Sequence, residues 1–459
     1  MFSRKNSAAG AGAGAGSILI IAAAAALALP ACGRQGGRGR ADNELVVISP
    51  HDETIRSELQ AAFERYSEKK TGKKATLRWQ PARGTGNIMR LLENEKKSAA
   101  GGREVGIDVF LGGGAPPHEK AAALGITEPV ALPPGILAAI PESVGGVHVR
   151  SDSNQWFGVT LSSFGIITNK AGLARRGLPE PASWKDLADP RFGGLIILAD
   201  PFESGSARAC YEMIMQRFGW KEGWKILQRI IANAGGFTPS SSDIAKQISS
   251  GQAVAGMVID MYAFVQIEED GADLIGFNLP EGETTFTPDP VSVIRGTPRK
   301  ELAALFVEFL LSKEGQALWI LPAGVPGGPE KHNLWHFPVR PDVYEIHAEK
   351  ALLKRNPFKS FAAMEYDEKK GNERARVLTL LFETAGIQNE GRLKKAWKAV
   401  QAAPGSKLEE IFDAVPFSEE ESFRLAGPLD DPVDAERLEE KTYQQFKKKY
   451  LDVIDRSKK

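Results

Sequence analysis

Leu45-Val46-Val47-Ile48-Ser49-Pro50-His51-Asp52 joins a four-residue apolar run to a helix start. Residues 45–48 read as a compact buried strand. Ser49 reads as the N-cap, Pro50 as the first helical residue and Asp52 as the acid of the first turn. Ile55, Leu59, Phe63 and Tyr66 follow at helical spacing, and Thr71-Gly72 closes the element. The unit recurs twice. A strand over 75–79 passes through Gly84-Thr85-Gly86 to a helix carrying Ile88, Leu91 and Leu92. A strand over 107–111 passes through Gly112-Gly113-Gly114 to a helix opened by Pro116-Pro117. Three such units predict α/β architecture with their turns at the carboxyl ends of the strands, the ligand-binding edge of open sheets.

Strands over 156–160 and 164–168 then lead into a second α/β block. It holds a strand at 195–199, a Ser/Gly loop, helices 206–218 and 220–233, a Ser240-Ser241-Ser242 turn, helix 243–250 and a strand at 254–259. A Pro/Gly-rich link over 280–290 returns to a strand at 291–295 and a helix over 298–312. The pattern is one lobe, a crossing, a second lobe and a return crossing. Residues 330–459 differ, with 48 charged residues among 130 against 25 % for the whole chain. Apolar residues still recur there at helical spacing, so a folded helical extension packed on the first lobe is expected.

Composition excludes several classes. With 459 residues, 42 % of them hydrophobic, the chain is long enough for more than one core. Its 58 basic and 58 acidic residues cancel, which gives no case for a nucleic-acid partner. Two cysteines rule out a disulfide-built scaffold. Cys210 falls in an apolar helix, as a buried and inert thiol.

The N-terminus reads as an address. Arg4 and Lys5 precede a Gly/Ala stretch and an apolar core from Ser17 to Leu29. That core spans about 20 Å as a helix, short of the roughly 30 Å a membrane requires, so 1–31 is expected to be a secretory signal. Leu29-Pro30-Ala31-Cys32 looks like a bacterial lipobox, which implies cleavage before Cys32, lipidation of its sulfur and a linker over 32–42.

Catalytic motifs are absent: there is no Gly-x-Ser-x-Gly, His-Glu-x-x-His, nucleotide-binding loop or Cys-x-x-Cys. An enzyme is not expected; an exported lipoprotein enzyme, such as a hydrolase, is the second alternative. The glycine triplet lacks the lysine of a nucleotide loop and reads first as a tight turn. His332 and His336 read as surface or packing histidines. Hydroxyls at helix starts are more informative. Ser49, Thr85, Ser204, Ser206 and the 240–242 run each precede a helix, where orphan N–H groups and the dipole favour an anion. Simple N-capping explains any one of them; only their convergence would make a site. A second constellation is His51, Glu53, Asp260 and Tyr262, with Asp260-Met261-Tyr262 ending an apolar strand.

These residues resemble the type II periplasmic solute-binding proteins of ABC importers, in the cluster holding ferric-iron, phosphonate and sugar-phosphate binders. The resemblance covers about 43–325. It rests on 45–51, Ile107-Asp108-Val109-Phe110, Phe157-Gly158-Val159-Thr160, the run 181–190, Ser204-Gly205-Ser206 and the run 309–316. It implies lobe 1 over 43–158, lobe 2 over 159–280, a return to lobe 1 over 281–329, and hinge strands between lobes that close on one solute. The candidate ligand-binding residues are Ser49, His51, Thr85, Gly113, Ser163, Ser204, Ser206, Ser240, Ser241, Asp260 and Tyr262. Ferric binders of this class place two adjacent tyrosines where this sequence has Met261-Tyr262. A small organic anion is therefore expected, with no cofactor. Fe3+ held by His51, Glu53 and Tyr262 is the alternative cargo. The implied partners are a permease and an ATPase, with a monomeric receptor outside the cell membrane, lipid-anchored through Cys32.

Overall fold

The computed structural model describes residues 41–82, 84–359 and 362–459. The expected signal peptide, Cys32 and nearly all of the expected linker lie outside these residues. Chain order begins β1 (Glu44–Ser49), α1 (Glu53–Thr71), β2 (Thr76–Pro81), α2 (Gly84–Ala100), β3 (Val109–Leu111), α3 (Ala115–Ala123) and β4 (Thr127–Glu128). A short helix α4 (Pro134–Leu137) and a hairpin of β5 (Ser143–Val144) and β6 (Val147–His148) follow. β1 pairs in parallel with β2 and β3, as three strand–helix units require.

The first helix starts three residues later than its sequence predicts. Asp52, not Ser49, is the N-cap, accepting the Ile55 N–H at 3.1 Å. Ser49 still belongs to the strand, in register with Pro81, and its hydroxyl accepts the His51 N–H at 3.1 Å. Gly72 closes the helix in the left-handed conformation, φ 72°, with its N–H on Glu68 O.

β7 (Phe157–Asn169) joins the two lobes. The sequence predicts two strands here; the structure has one of 13 residues, buried throughout. The reason is a change of partner without a change of direction. Its first half pairs with β12 (Phe286–Ile294) and β13 (Phe337–Pro338), and its second half with β10 (Ala255–Ile259) and β11 (Ile275–Asn278). The switch falls between Ser163 and Phe164, five residues beyond the boundary expected at 158/159. Between these strands lie α5 (Lys170–Ala174), β8 (Ile196–Ala199), α6 (Gly205–Phe218), α7 (Trp220–Asn233), β9 (Ala234–Thr238), α8 (Ser241–Ser249) and α9 (Asp260–Asp270). The return crossing runs over 279–285. Part of the expected link is thus strand: β12 starts at Phe286 and contains Pro288 and Pro290. Proline cannot supply a ladder N–H, and the register slips between Asp289 and Pro290 as a bulge.

Register places the ligand edge. Val291 of β12 faces Leu111 at the carboxyl end of β3, while Phe286 faces Ser163 on β7. Ile259, the carboxyl end of β10, faces Phe164. β8 runs parallel to β10 and to β9. The carboxyl edges of both parallel sets therefore point at the crossing, from opposite sides.

Each lobe has its own core. Phe63, Phe157, Phe286, Phe306 and Trp319 pack in the first, and Trp184, Tyr211, Met213, Trp224 and Ile230 in the second. After α10 (Lys300–Leu311) and α11 (Lys313–Ile320), Leu334, Phe337, Val339 and Tyr344, with α12 (Pro341–Ile346), join the first core. The rest of the extension does not. Helices α13 (Glu368–Phe382), α14 (Glu390–Ala402), α15 (Lys407–Asp413) and α17 (Pro432–Arg456) put Leu381, Phe382, Trp397, Phe412 and Tyr450 into the second core; α16 (Glu419–Ala426) lies among them. This corrects the expected docking on lobe 1. The physical reason is α7, which buries Trp224 and Gln228 on one flank and Ile226 and Ile230 on the other and so needs cover on two sides. Three cations fasten the module. Arg374, fully buried, holds Glu212 at 2.7 Å and lies over the Trp220 ring. Arg229 holds Asp413 and lies over Trp397. Lys449 Nζ donates to Gln228 Oε1, Phe412 O and Ala414 O at 2.7–2.8 Å among the rings of Phe412, Phe446 and Tyr450.

Candidate interlobe binding site

On the first lobe the site is built around the glycine triplet after β3. Gly112, Gly113 and Gly114 have φ of 86°, 95° and 78°, which side chains rarely adopt. Space forbids them as well: a Cβ on Gly112 would lie 2.5 Å from His51 Cε1, and one on Gly113 2.6 Å from Thr85 Cγ2. The turn thus brings His51 and Thr85, from two other strand–helix units, against one stretch of backbone.

Asp289 ties this arrangement together. The bulge between two prolines aims its carboxylate at the turn, where Oδ1 accepts the Gly114 N–H at 3.0 Å and Oδ2 the His51 Nε2–H at 2.8 Å. Burial opposes its ionisation, but the field and hydrogen bond of His51 and the Gly114 N–H win, and the carboxyl is held well below its ordinary range. Behind the turn, His118 stacks on Phe110 at 3.8 Å and meets Gly112 O at 3.1 Å and Ser292 Oγ at 2.7 Å. Burial lowers its pKa to about 4. It is therefore neutral, donating Nε2–H to the carbonyl and accepting the serine proton at Nδ1. His336 is buried edge-on to His51, centroids 6.4 Å apart, with its pKa lowered by burial.

Ser49 Oγ lies 2.8 Å from His51 Nδ1. Serine, histidine and Asp289 thus form a string of the hydrolase type. Ser49 is only 1 % exposed, however, and its oxygen also accepts the His51 N–H. It is a turn acceptor without access for a substrate.

The second lobe contributes two helix starts. Ser204 caps α6 through the Ala207 N–H at 3.3 Å, and Ser240 caps α8 through the Asp243 N–H at 3.3 Å. Between the caps, Ser206 Oγ and Ser241 Oγ are 2.7 Å apart, and Ser204 Oγ is 3.2 and 3.4 Å from them. Ser240 turns away to Ser242 Oγ and Asp243 Oδ2, both at 2.8 Å. Arg208, half-buried one turn into α6, donates to Pro201 O at 3.3 Å and forms no ion pair among the described residues. The sequence reading passed over it.

Tyr262 belongs to both sides. Burial raises its pKa, and so do the charges of Asp52 on the first lobe and Asp243 on the second. Asp260 and Ser163 instead bond to each other on the crossing. Asp260 Oδ2 accepts the Ser163 N–H at 2.7 Å and its hydroxyl at 2.8 Å, and Oδ1 accepts the Met261 N–H at 2.7 Å. Glu53 is 81 % exposed and pairs with Arg56 at 3.0 Å. Among the described residues, no group of three His, Cys, Asp or Glu side chains is arranged to hold a metal ion.

Residues 106–334 match the family described as bacterial extracellular solute-binding protein. The chain belongs to that family. Phosphoglycerate transport regulatory protein PgtC of Salmonella typhimurium is 26 % identical over 289 residues, 62 % of this chain and 64 % of PgtC. An uncharacterized protein of Haemophilus influenzae is 30 % identical over 240 residues, 51 % of this chain and 65 % of its own. The chain spans just under two thirds of the length of these curated relatives. Among solved structures, the periplasmic binding protein AfuA of Actinobacillus pleuropneumoniae, with fructose-6-phosphate bound, superposes with a TM-score of 0.58 at 22 % identity. The match covers 75 % of this chain and 98 % of AfuA. Iron-bound HitA of Pseudomonas aeruginosa gives 0.54 at 19 % identity, over 73 % and 98 %. Both show the two-lobed fold of type II periplasmic binding proteins. The helices beyond 368 are an addition that the family match does not reach.

Proposed function

We propose that this protein is the exported solute receptor of an ABC importer and captures a small phosphoryl- or phosphonyl-bearing organic anion between its lobes. The observation that carries the reading is the meeting of two helix starts at Ser206 and Ser241, hydroxyl to hydroxyl at 2.7 Å, on the strand edge that faces the crossing. Two helix N-termini contribute roughly 0.3–2 kcal/mol each, and hydroxyl bonds to a charged oxygen about 1.5–3 kcal/mol each. After the costs of association this suffices for about micromolar affinity. Thr85 and the glycine turn face the ligand from the other lobe.

Calorimetry with fructose 6-phosphate, 3-phosphoglycerate, 2-aminoethylphosphonate, inorganic phosphate and ferric citrate tests the reading. Ser206→Ala weakens the binding of a phosphoryl ligand roughly 10- to 100-fold. Failure of every phosphoryl and phosphonyl probe to bind refutes it. Iron is the second reading, favoured by the half-buried phenol of Tyr262, which feels the charges of Asp52 and Asp243. Against it, both His51 ring nitrogens are occupied and Glu53 turns to Arg56. A coloured ferric complex that Tyr262→Phe bleaches would establish iron. We further assign Cys32 as the lipid anchor; Cys32→Ser is expected to release the protein from membranes or block its processing, read by fractionation and mass spectrometry.

A further inference from the structure

Residues 330–338 bring part of the first lobe against α9 of the second. The aromatic part of this contact, Trp335 and Phe337, lies beyond residue 334, where the family match ends. The segment is fixed on its own lobe at both ends. Buried Glu58 of α1 accepts the N–H groups of Glu330, Lys331 and His332 at 2.6, 2.7 and 3.0 Å. Phe337 and Pro338 form β13 on the first half of β7. Between these anchors Trp335 stands at φ 52°, a left-handed conformation that a bulky side chain keeps only where its surroundings hold it. Part of that hold comes from the other lobe. Phe264 of α9 stacks on the Trp335 ring, centroids 5.8 Å apart, and meets Phe337 edge-on at 6.1 Å. One turn further along α9, Glu268 accepts the Trp335 Nε1–H at 2.5 Å and an amide N–H of Asn333. Asn333 is oriented for this by the Ala323 N–H, which donates to its Oδ1 at 2.7 Å.

We propose that Asn333 and Trp335 of the first lobe and Phe264 and Glu268 of the second form an interlobe clasp that favours the closed arrangement of the lobes. Its place gives the direction. His336, the next residue after Trp335, is edge-on to His51 at 6.4 Å, so the clasp adjoins the first-lobe wall of the binding site. A rotation that opens the cleft has to draw α9 away from 333–337. The strand crossings leave the lobes free to swing. The clasp adds a ring stack and two hydrogen bonds to a carboxylate, which are made in one arrangement and lost in the other. α9 also carries Tyr262, near its start. Glu268 is thus a positioning residue: by holding α9 to the first lobe it sets where the Tyr262 phenol stands in the site.

Pulsed electron resonance between spin labels tests this in the full chain, with Cys32→Ser, Arg90→Cys and Lys246→Cys; the remaining Cys210 is buried. Both label positions are exposed, on α2 and α8, helices that start at the ligand edges of the two lobes. No solute is added, so the result does not depend on which one the site captures. Short separations should dominate with the clasp intact. Glu268→Ala should raise the ratio of long to short separations roughly 10-fold. Trp335→Phe keeps a ring and removes the N–H, and should shift the ratio in the same direction by less. Should Glu268→Ala not fold, Trp335→Phe is read alone, and any rise in long separations supports the clasp. An unchanged distribution of separations overturns the proposal, and so does a shift to shorter ones.

Discussion

Replacing Asp289 with asparagine keeps the shape of the side chain but removes its charge and turns one acceptor into a donor. The wild-type carboxylate receives two N–H groups, from His51 at 2.8 Å and Gly114 at 3.0 Å. An asparagine oxygen can satisfy one of them, leaving the other against an NH2. Each bond to a charged acceptor contributes about 1.5–3 kcal/mol. Losing one and weakening the other should cost about 2–4 kcal/mol, because the pair is only 10 % and 17 % exposed. Urea unfolding near neutral pH, followed by tryptophan fluorescence and by circular dichroism, should show a midpoint lower by roughly 0.5–1 M, since a chain this long unfolds with a slope above the roughly 1–3 kcal/mol/M of small proteins. The effect has a sign in pH. A carboxyl held below its ordinary value stabilises the fold at any pH above the unfolded value, about 3.9. That contribution is lost as pH falls through the folded value. The difference between wild type and Asp289→Asn should therefore persist down to about pH 4 and shrink only in stronger acid. A variant within about 0.5 kcal/mol of wild type at neutral pH would refute the role given to Asp289.

Two further expectations concern the crossing and the module. Burial raises the Asp260 pKa to about 7 against the opposing bonds of Ser163 and Met261. The native state then binds a proton that the unfolded chain has released, so stability should decline from about pH 4 to about pH 7. Asp260→Asn should flatten that slope in a series of Tm measurements; an unaltered slope would contradict it. Arg374→Met leaves Glu212 buried with its charge uncompensated and should cost about 3–5 kcal/mol. Glu212→Leu added to it should recover much of the loss, and equal Tm values for the single and double variants would show that the pair is not coupled.

What the sequence reveals here is what is local. The apolar run at 45–48, the serines at the starts of α6 and α8 and the Trp-rich α7 are each set by spacing within one element, and each is found close to where it is expected. Ser204, Ser206 and Ser241 illustrate the limit. Their positions at helix starts follow from N-cap preference, but their approach to within 3.4 Å depends on β8 and β9 being neighbours. The shift from Ser49 to Asp52 as N-cap has a similar origin, since β2 pairing through Ser49 holds that residue in the strand. Pairing is a long-range fact, and one sequence does not state it.

Asp289 shows how such a fact can still leave a trace. Read as composition, Pro288-Asp289-Pro290 marks a link; read as strand chemistry, two residues without an N–H inside an apolar run mark a bulge, where a strand re-aims a side chain. The same logic applies to α7. A helix that lies over a sheet and faces water shows one apolar stripe, whereas α7 buries Trp224 and Gln228 on one flank and Ile226 and Ile230 on the other. That second face predicts a cover, and only 330–459 has amphipathic helices to spare. The cover follows because Trp397 Nε1 donates to Asn233 Oδ1 at 2.8 Å, and Gln228 Oε1 accepts from both Trp224 and Lys449. The lobe that carries the module is thus set by α7, whose second buried flank and whose polar neighbours Gln228 and Asn233 need partners.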